Sequence, residues 1–147
     1  MLLGLFHPSE GTVRINNQNL DEFNLSSVYE QMFYLSQNTP IFEGTLRENI
    51  VLDCSATDSE IEKVLQKCQL GTFLQHLPDK LATKIGTQGI NLSGGEKQRL
   101  AFARLFFSNA EVIFLDEATS ALDHQTEQQL MAAVQELFSL KSRDSWE

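Results

Sequence analysis

Two short stretches carry residue types suited to phosphate chemistry. The first is Leu92-Ser93-Gly94-Gly95-Glu96. Ser93 with Glu96 in third place after it is the pattern of a capping box, which opens a helix and leaves its first backbone N–H groups free. Gly94 and Gly95 have no side chains, so an anion can approach that positive helix end closely. The plain alternative is an ordinary capped helix after a glycine turn. The second stretch is Val112-Ile113-Phe114-Leu115-Asp116-Glu117. Its apolar run predicts a buried parallel strand. Two carboxylates end it, where open α/β sheets bind their ligands. Extended neighbours face opposite sides, so Asp116 and Glu117 could take different jobs. One could hold Mg²⁺ through hard oxygen, and the other could polarise a water for attack on phosphorus. The plain alternative is a pair of solvated acids.

These stretches need a sheet and helices to hold them, and the composition suits that. The 147 residues suffice for one domain with a core. Apolar residues make up 41% and charged residues 21%, a globular rather than a disordered balance. A net charge of −9 and a pI near 4.7 argue against nucleic-acid binding, which needs basic surface. No apolar run approaches the ~18 residues of a membrane-spanning helix. Met1-Leu2-Leu3 is apolar, but Gly4, His7 and Pro8 follow and no basic start precedes it, so no secretory leader is expected. Cys54 and Cys68 form no CxxC pair and no His/Cys cluster. They read as reduced thiols in a cytosolic setting, with Cys68 buried on an apolar helix face.

In chain order, Met1 to Phe6 reads as the tail of a helix that Pro8 breaks. Thr12 to Ile15 alternates into Asn16-Asn17, a strand entering a hairpin. Leu20 to Tyr29 is a polar connection with a short helix after Ser26. Met32 to Leu35 is a second buried strand, leading into Ser36-Gln37, and Pro40 prevents a helix there. Asp58-Ser59 caps a helix whose Ile61, Val64, Leu65 and Cys68 share one face, and Gly71 ends it. Phe73, Leu74 and Leu77 make a second short helix before Pro78. The helix opened by Ser93 carries Leu100, Ala103 and Phe107 on one side, with Phe106 and Phe107 in the core. Lys97, Arg99 and Arg104 are expected to be solvated or locally paired. After Asp123, a good N-cap, Thr126 to Leu140 forms a last helix. His76 and His124 read as surface residues. The organisation is one incomplete domain over 1–140 and a polar tail over 141–147.

The run LSGGEKQRLAFAR, a short spacer and VIFLDEATSALD resemble the nucleotide-binding domain of ABC transporters. The first segment is similar to that family's signature motif. The second is similar to its Walker B strand with the catalytic Glu, running into the D-loop at Ser120-Ala121-Leu122-Asp123. Glu96 stands where many members carry Gln, a common variant. Gln37 matches the Q-loop glutamine, and Phe42 to Ile50 resembles the segment after the Q-loop in exporters. LLGLFHPSEGTVRINN resembles the segment that follows the Walker A helix. The Walker A sequence itself, G-x-x-x-x-G-K-[ST], is not among the 147 residues: Gly89 and Gly94 have the spacing, but Gly95 and Glu96 follow. No switch histidine follows Leu140. Thr87-Gln88 stands where exporters often carry an acidic–basic pair.

The resemblance implies an α/β fold, a partial P-loop NTPase (ABC ATPase-like) sheet with a helical signature subdomain over about residues 54–100. It implies ATP and Mg²⁺ as cofactors. The implied partners are a second nucleotide-binding domain, head to tail, and the transmembrane domains of an exporter at the cytoplasmic face of a membrane. Nucleic acid is not among them. By the resemblance, Ser93, Gly94, Gly95 and Glu96 would serve the γ-phosphate of ATP held by the partner. Asp116 would support Mg²⁺ and Glu117 would act as base toward water. Gln37 would reach the Mg²⁺ or the attacking water, and Asp123 would contact across the dimer. Without the Walker A lysine and hydroxyl, weak ATP binding and negligible ATPase are expected of the chain by itself. The alternatives are an ABC-type ATPase of DNA repair or chromosome organisation, and a catalytically dead regulatory fragment. Gln98-Arg99-Leu100-Ala101 and the TLRENI segment favour the transporter.

Overall fold

Asn17 takes a left-handed φ of 66°, which a tight hairpin turn asks of an Asn. It joins β1 (Arg14–Ile15) to antiparallel β2 (Gln18–Asn19) as the alternation predicts. The computed structural model describes residues 10–15 and 17–144. The helix tail expected over Met1–Phe6 and the tail residues 145–147 lie outside the described residues. Helix α1 (Leu25–Glu30) starts one residue before Ser26.

Strands β3 (Met32–Ser36) and β6 (Val112–Asp116) pair in parallel, in register from Met32 opposite Val112 to Ser36 opposite Asp116. Parallel partners require a crossover, and here it is long. It holds β4 (Gly44–Thr45), α2 (Leu46–Val51), α3 (Asp58–Lys67), α4 (Gly71–His76), β5 (Lys84–Ile85) and α5 (Gly94–Leu105). Strands β4 and β5 pair antiparallel, and α6 (His124–Asp144) follows β6. The fold is α/β.

The parallel strands are less buried than their apolar runs predict. Leu35 is 2% exposed, but Tyr34 is 48% and Leu115 41% exposed. Neither strand has a second neighbour among the described residues, so the sheet stays open to solvent. Glu117 also leaves the strand. Its φ of 50° lies in the left-handed region, so β6 ends on Asp116 and the two carboxylates do not alternate across one strand.

Three helices open on the same local device. Thr45 with Glu48, Thr57 with Glu60 and Ser93 with Glu96 each form a complete capping box. For α3 the cap is therefore Thr57, one residue before the expected Asp58. Gly71 does not end α3 but begins α4. The chain reverses at Gln69, whose φ is 57°. Helix α6 starts at His124 and continues to Asp144, into the stretch expected as a polar tail. Lys141 to Asp144 contain no Gly or Pro to stop it.

The core lies where α2, α3 and α5 meet. Leu46, Ile50, Ile61, Leu65, Phe102 and Leu105 are fully buried in it. Each such side chain kept from water contributes roughly 1.5–3 kcal/mol. Cys68 is buried with them, and desolvation pushes its thiol up to about 12. His76 and His124 are exposed, as expected of surface residues. Phe106 and Phe107 are half-buried against the core.

Candidate functional site

The register of the parallel pair sets the first part of the site. Ser36 sits opposite Asp116, so the residues that follow, Gln37 and Glu117, leave the same end of the sheet. The sequence separates them by the whole crossover, and the sheet brings them together. Asp116 and Glu117 are both exposed. The Tyr34 hydroxyl donates to Asp116 Oδ2 at 2.6 Å. That bond raises the tyrosine's pKa, with desolvation and the aspartate's charge adding to it.

The start of α5 forms the second part. Ser93 N–H and Oγ both donate to Glu96 Oε2 at 2.7 Å, and Ser93 Oγ accepts from Glu96 N–H at 3.3 Å. The Glu96 carboxylate therefore faces back to its own helix start. The first-turn amides at Gly94 and Gly95 have no intrahelical acceptor and carry the positive end of the helix. Gly95 is also a packing requirement. A Cβ there would meet the Ala121 carbonyl oxygen at 3.2 Å and Arg99 Nη1 at 3.4 Å.

Gln98 explains why Ala121 lies so close. It is 3% exposed. Its Nε2 donates to Ser120 Oγ at 3.1 Å and its Oε1 accepts from Ala121 N–H at 3.0 Å. One amide thus clamps the turn after β6 onto the second turn of α5. Gln37, Gly94, Lys97, Gln98, Ser120 and Ala121 line a single cleft of about 390 Å³. Reading the sequence missed Gln98 as a site residue. The available signal is that it shares a helical face with Ala101, Phe102 and Leu105, all buried.

Asp123 serves α6. Its Oδ1 accepts from Thr126 N–H at 2.9 Å and its Oδ2 from Thr126 Oγ1 at 2.7 Å. Those two bonds, the hydroxyl's first, hold its carboxyl below the usual aspartate value. The N-cap expected at Asp123 is present, and its side chain is exposed at the rim of the turn.

Arg104 corrects an expectation. It is not solvated but buried, 7% exposed. Its Nε donates to the Asn49 carbonyl at 2.7 Å, Nη1 to the Pro40 carbonyl at 2.9 Å, and Nη2 to Asn49 Oδ1 at 3.2 Å. The guanidinium also lies 5.2 Å from the centre of the Phe42 ring. Burial lowers its pKa. Asn49 in turn holds both the N–H and the carbonyl of Phe42 at 2.9 Å. Helix α5 is thereby tied to the segment that follows Gln37. A second tie joins that segment to the loop before α5. Glu43 Oε1 accepts from the Thr87 N–H at 2.6 Å and from the Thr87 hydroxyl, which together lower its pKa.

The described residues contain no cluster of three or more His, Cys, Asp or Glu that could enclose a metal. Mg²⁺ in phosphate-handling sites needs less, one or two carboxylates completed by phosphate oxygens and water. Asp116 Oδ1, unclaimed by Tyr34, fits that demand.

The ABC transporter family profile matches residues 1–120. The chain is 38% identical over 146 residues to the mitochondrial iron-sulfur clusters transporter ATM1 of Saccharomyces cerevisiae, over 99% of this chain and 21% of the relative. It is 40% identical over 138 residues to the uncharacterized ABC transporter ATP-binding protein YwjA of Bacillus subtilis, over 93% and 24%. It is 35% identical over 139 residues to the multidrug resistance ABC transporter ATP-binding and permease protein of Lactococcus lactis, over 93% and 24%. Among solved structures, a bacterial Atm1-family ABC exporter with ATP bound superposes with a TM-score of 0.82. It is 31% identical, over 94% of this chain and 24% of that one. The chain thus spans between a fifth and a quarter of these relatives' length.

Proposed function

The chain belongs to the ABC transporter family, and from that premise we propose that it supplies part of the ATP-hydrolysing domain of an exporter. One observation carries the reading. The capped start of α5, the turn clamped by Gln98 and the residue after β3 line one cleft, beside the strand end that bears Asp116. An anion-binding helix start and a metal-binding carboxylate are the two things phosphoryl transfer needs from a protein surface.

In this reading the Gly94 and Gly95 amides and Ser93 hold the γ-phosphate of an ATP bound by a second nucleotide-binding domain. Asp116 and Gln37 would hold Mg²⁺. Mg²⁺ supplies charge neutralisation at the phosphate oxygens. Glu117, freed from the strand by its left-handed backbone, takes the proton of the attacking water as the bond to the leaving ADP breaks. Asp123 faces the partner domain from the rim while capping α6. The transmembrane domains of the transporter meet the surface around Phe42, which is 52% exposed and braced by Arg104 and Asn49, at the cytoplasmic face of a membrane. The described residues include no helix long and apolar enough to cross one. In this reading residues 1–140 belong to the domain part, with the signature-bearing helices over about residues 54–100 as its subdomain, and α6 carries the domain on to Asp144. The 147 residues hold no Walker A sequence, so alone they bind ATP weakly and hydrolyse it negligibly.

The test is complementation in trans. The chain is mixed with a second nucleotide-binding domain that keeps its Walker A motif but carries an inactivated signature serine. Hydrolysis restored by the native chain and lost with Ser93→Arg supports the reading. No restoration at any ratio of the two chains sinks it.

A further inference from the structure

Tyr34 has no part in the reading above, yet it makes a short contact with the residue that the reading assigns to the metal. The β3–β6 register places Tyr34 opposite Phe114 and Ser36 opposite Asp116. Alternation puts Tyr34 and Asp116 on the same side of the sheet, one diagonal step apart. The Tyr34 hydroxyl crosses that step and donates to Asp116 Oδ2 at 2.6 Å.

Three features set this contact apart from an incidental surface bond. The bond joins residues 82 positions apart across the β3–β6 pair, so the sheet register and not chain neighbourhood brings its partners together. A phenol donating to an ionised carboxylate makes a charge-assisted bond, short and directional. Tyr34 also makes the one side-chain hydrogen bond recorded to the Asp116 carboxylate among the described residues. The orientation of that carboxylate therefore depends on a single donor.

We infer that Tyr34 is a positioning residue for a hard divalent cation at Asp116: it holds Oδ2 and leaves Oδ1 as the one oxygen offered to the metal. A residue that orients a metal-binding carboxylate typically changes metal affinity by about 10–100-fold when removed. The inference rests on the proposed role of Asp116, and its test separates the two.

The test uses the full 147-residue chain and two probes, Tb³⁺ and Mn²⁺. Tb³⁺ seeks hard oxygen ligands and emits when a nearby tyrosine ring passes it excitation energy. Mn²⁺ binding is read by electron paramagnetic resonance. The expected result is tyrosine-sensitised Tb³⁺ emission that Asp116→Asn and Tyr34→Phe abolish and Tyr29→Phe leaves intact. Tyr34→Phe is also expected to weaken the Asp116-dependent Mn²⁺ site about 10-fold. It removes one half-exposed hydroxyl and so leaves the fold in place. Emission and Mn²⁺ binding that Asp116→Asn leaves unchanged would overturn the assignment of the metal to Asp116, and this inference with it. Binding lost in Asp116→Asn but equal or tighter in Tyr34→Phe would overturn the role of Tyr34 alone.

Discussion

At the start of α5 the Ser93, Glu96 and Gln98 side chains have protein partners, whereas past the end of β3 and at the end of β6 the polar side chains face solvent. Gln98 is 3% exposed and uses both ends of its amide. Arg104, on the same helix, uses three guanidinium nitrogens. Leu115 and Asp116, by contrast, are exposed, and among the described residues only the Tyr34 hydroxyl is hydrogen-bonded to the Asp116 side chain. The difference follows from what lies behind each region. Helix α5 is packed on the fully buried core, where an orphaned polar group costs roughly 1–3 kcal/mol; Gln98 and Arg104 are paired there, while Arg99 Nε is buried without a partner. The strand ends have no second strand beside them among the described residues, so water can serve their polar groups. The helix start is a preformed surface. The strand end is a solvent-facing one.

Stability measurements would break that comparison most directly. Phe102 is fully buried in α5, so Phe102→Ala should cost about 3–5 kcal/mol in urea unfolding. Leu115→Ala, at 41% exposed, should cost well under half of that. Comparable losses at both positions would show that the strand end is as buried in solution as the helix. The clamp between α5 and the following turn gives the next largest effect. Gln98→Leu keeps the volume but orphans the Ala121 N–H, and should cost about 1–3 kcal/mol. Hydrogen exchange should quicken at Ala121 and leave the amides of α2 unchanged. Uniform quickening across both would mean that the turn is not held by Gln98.

The smallest effect sharpens the comparison by pH. The folded carboxyl of Asp123 is depressed by Thr126. A depressed acid contributes stability above its unfolded value, and that contribution is lost as pH falls through the folded value. The native chain should therefore lose stability relative to Asp123→Asn as the pH drops below the ordinary aspartate value of 3.8. At neutral pH the two should be close, because Asn is itself a good cap. A gap between the two chains that stays constant with pH would remove the charge from the cap.

How much of this was legible before folding depended on distance along the chain. The hairpin turn at Asn17 and the Ser93–Glu96 cap follow from neighbouring residues, and both are present; the apolar runs of β3 and β6 mark two strands, but their pairing joins Met32 to Val112 across the whole crossover. The misjudged boundaries were also local. Thr57 rather than Asp58 caps α3, because the box requires Glu60 in third place after the cap. Gly71 resembled a helix stop, but Gln69 takes the left-handed turn and leaves Gly71 to begin α4. Of the candidate residues, Gln37 and Gly94 line one cleft, and Gln37 and Glu117 follow the same end of the parallel pair. Gln98 as a lining residue of the cleft, and the partners of Arg104 and Tyr34, are not legible in the sequence.

The chain's own order determined the elements, because caps, turns and strand periodicity are bonds and contacts between residues a few places apart. Only the tertiary structure decided which polar side chains became clamps. Gln98 meets Ser120 across 22 positions, Arg104 meets Asn49 across 55, and Tyr34 meets Asp116 across 82. A side chain's charge and shape specify what it can bind. Whether a partner lies within three ångströms depends on how the crossover packs, and that packing is set by the apolar core.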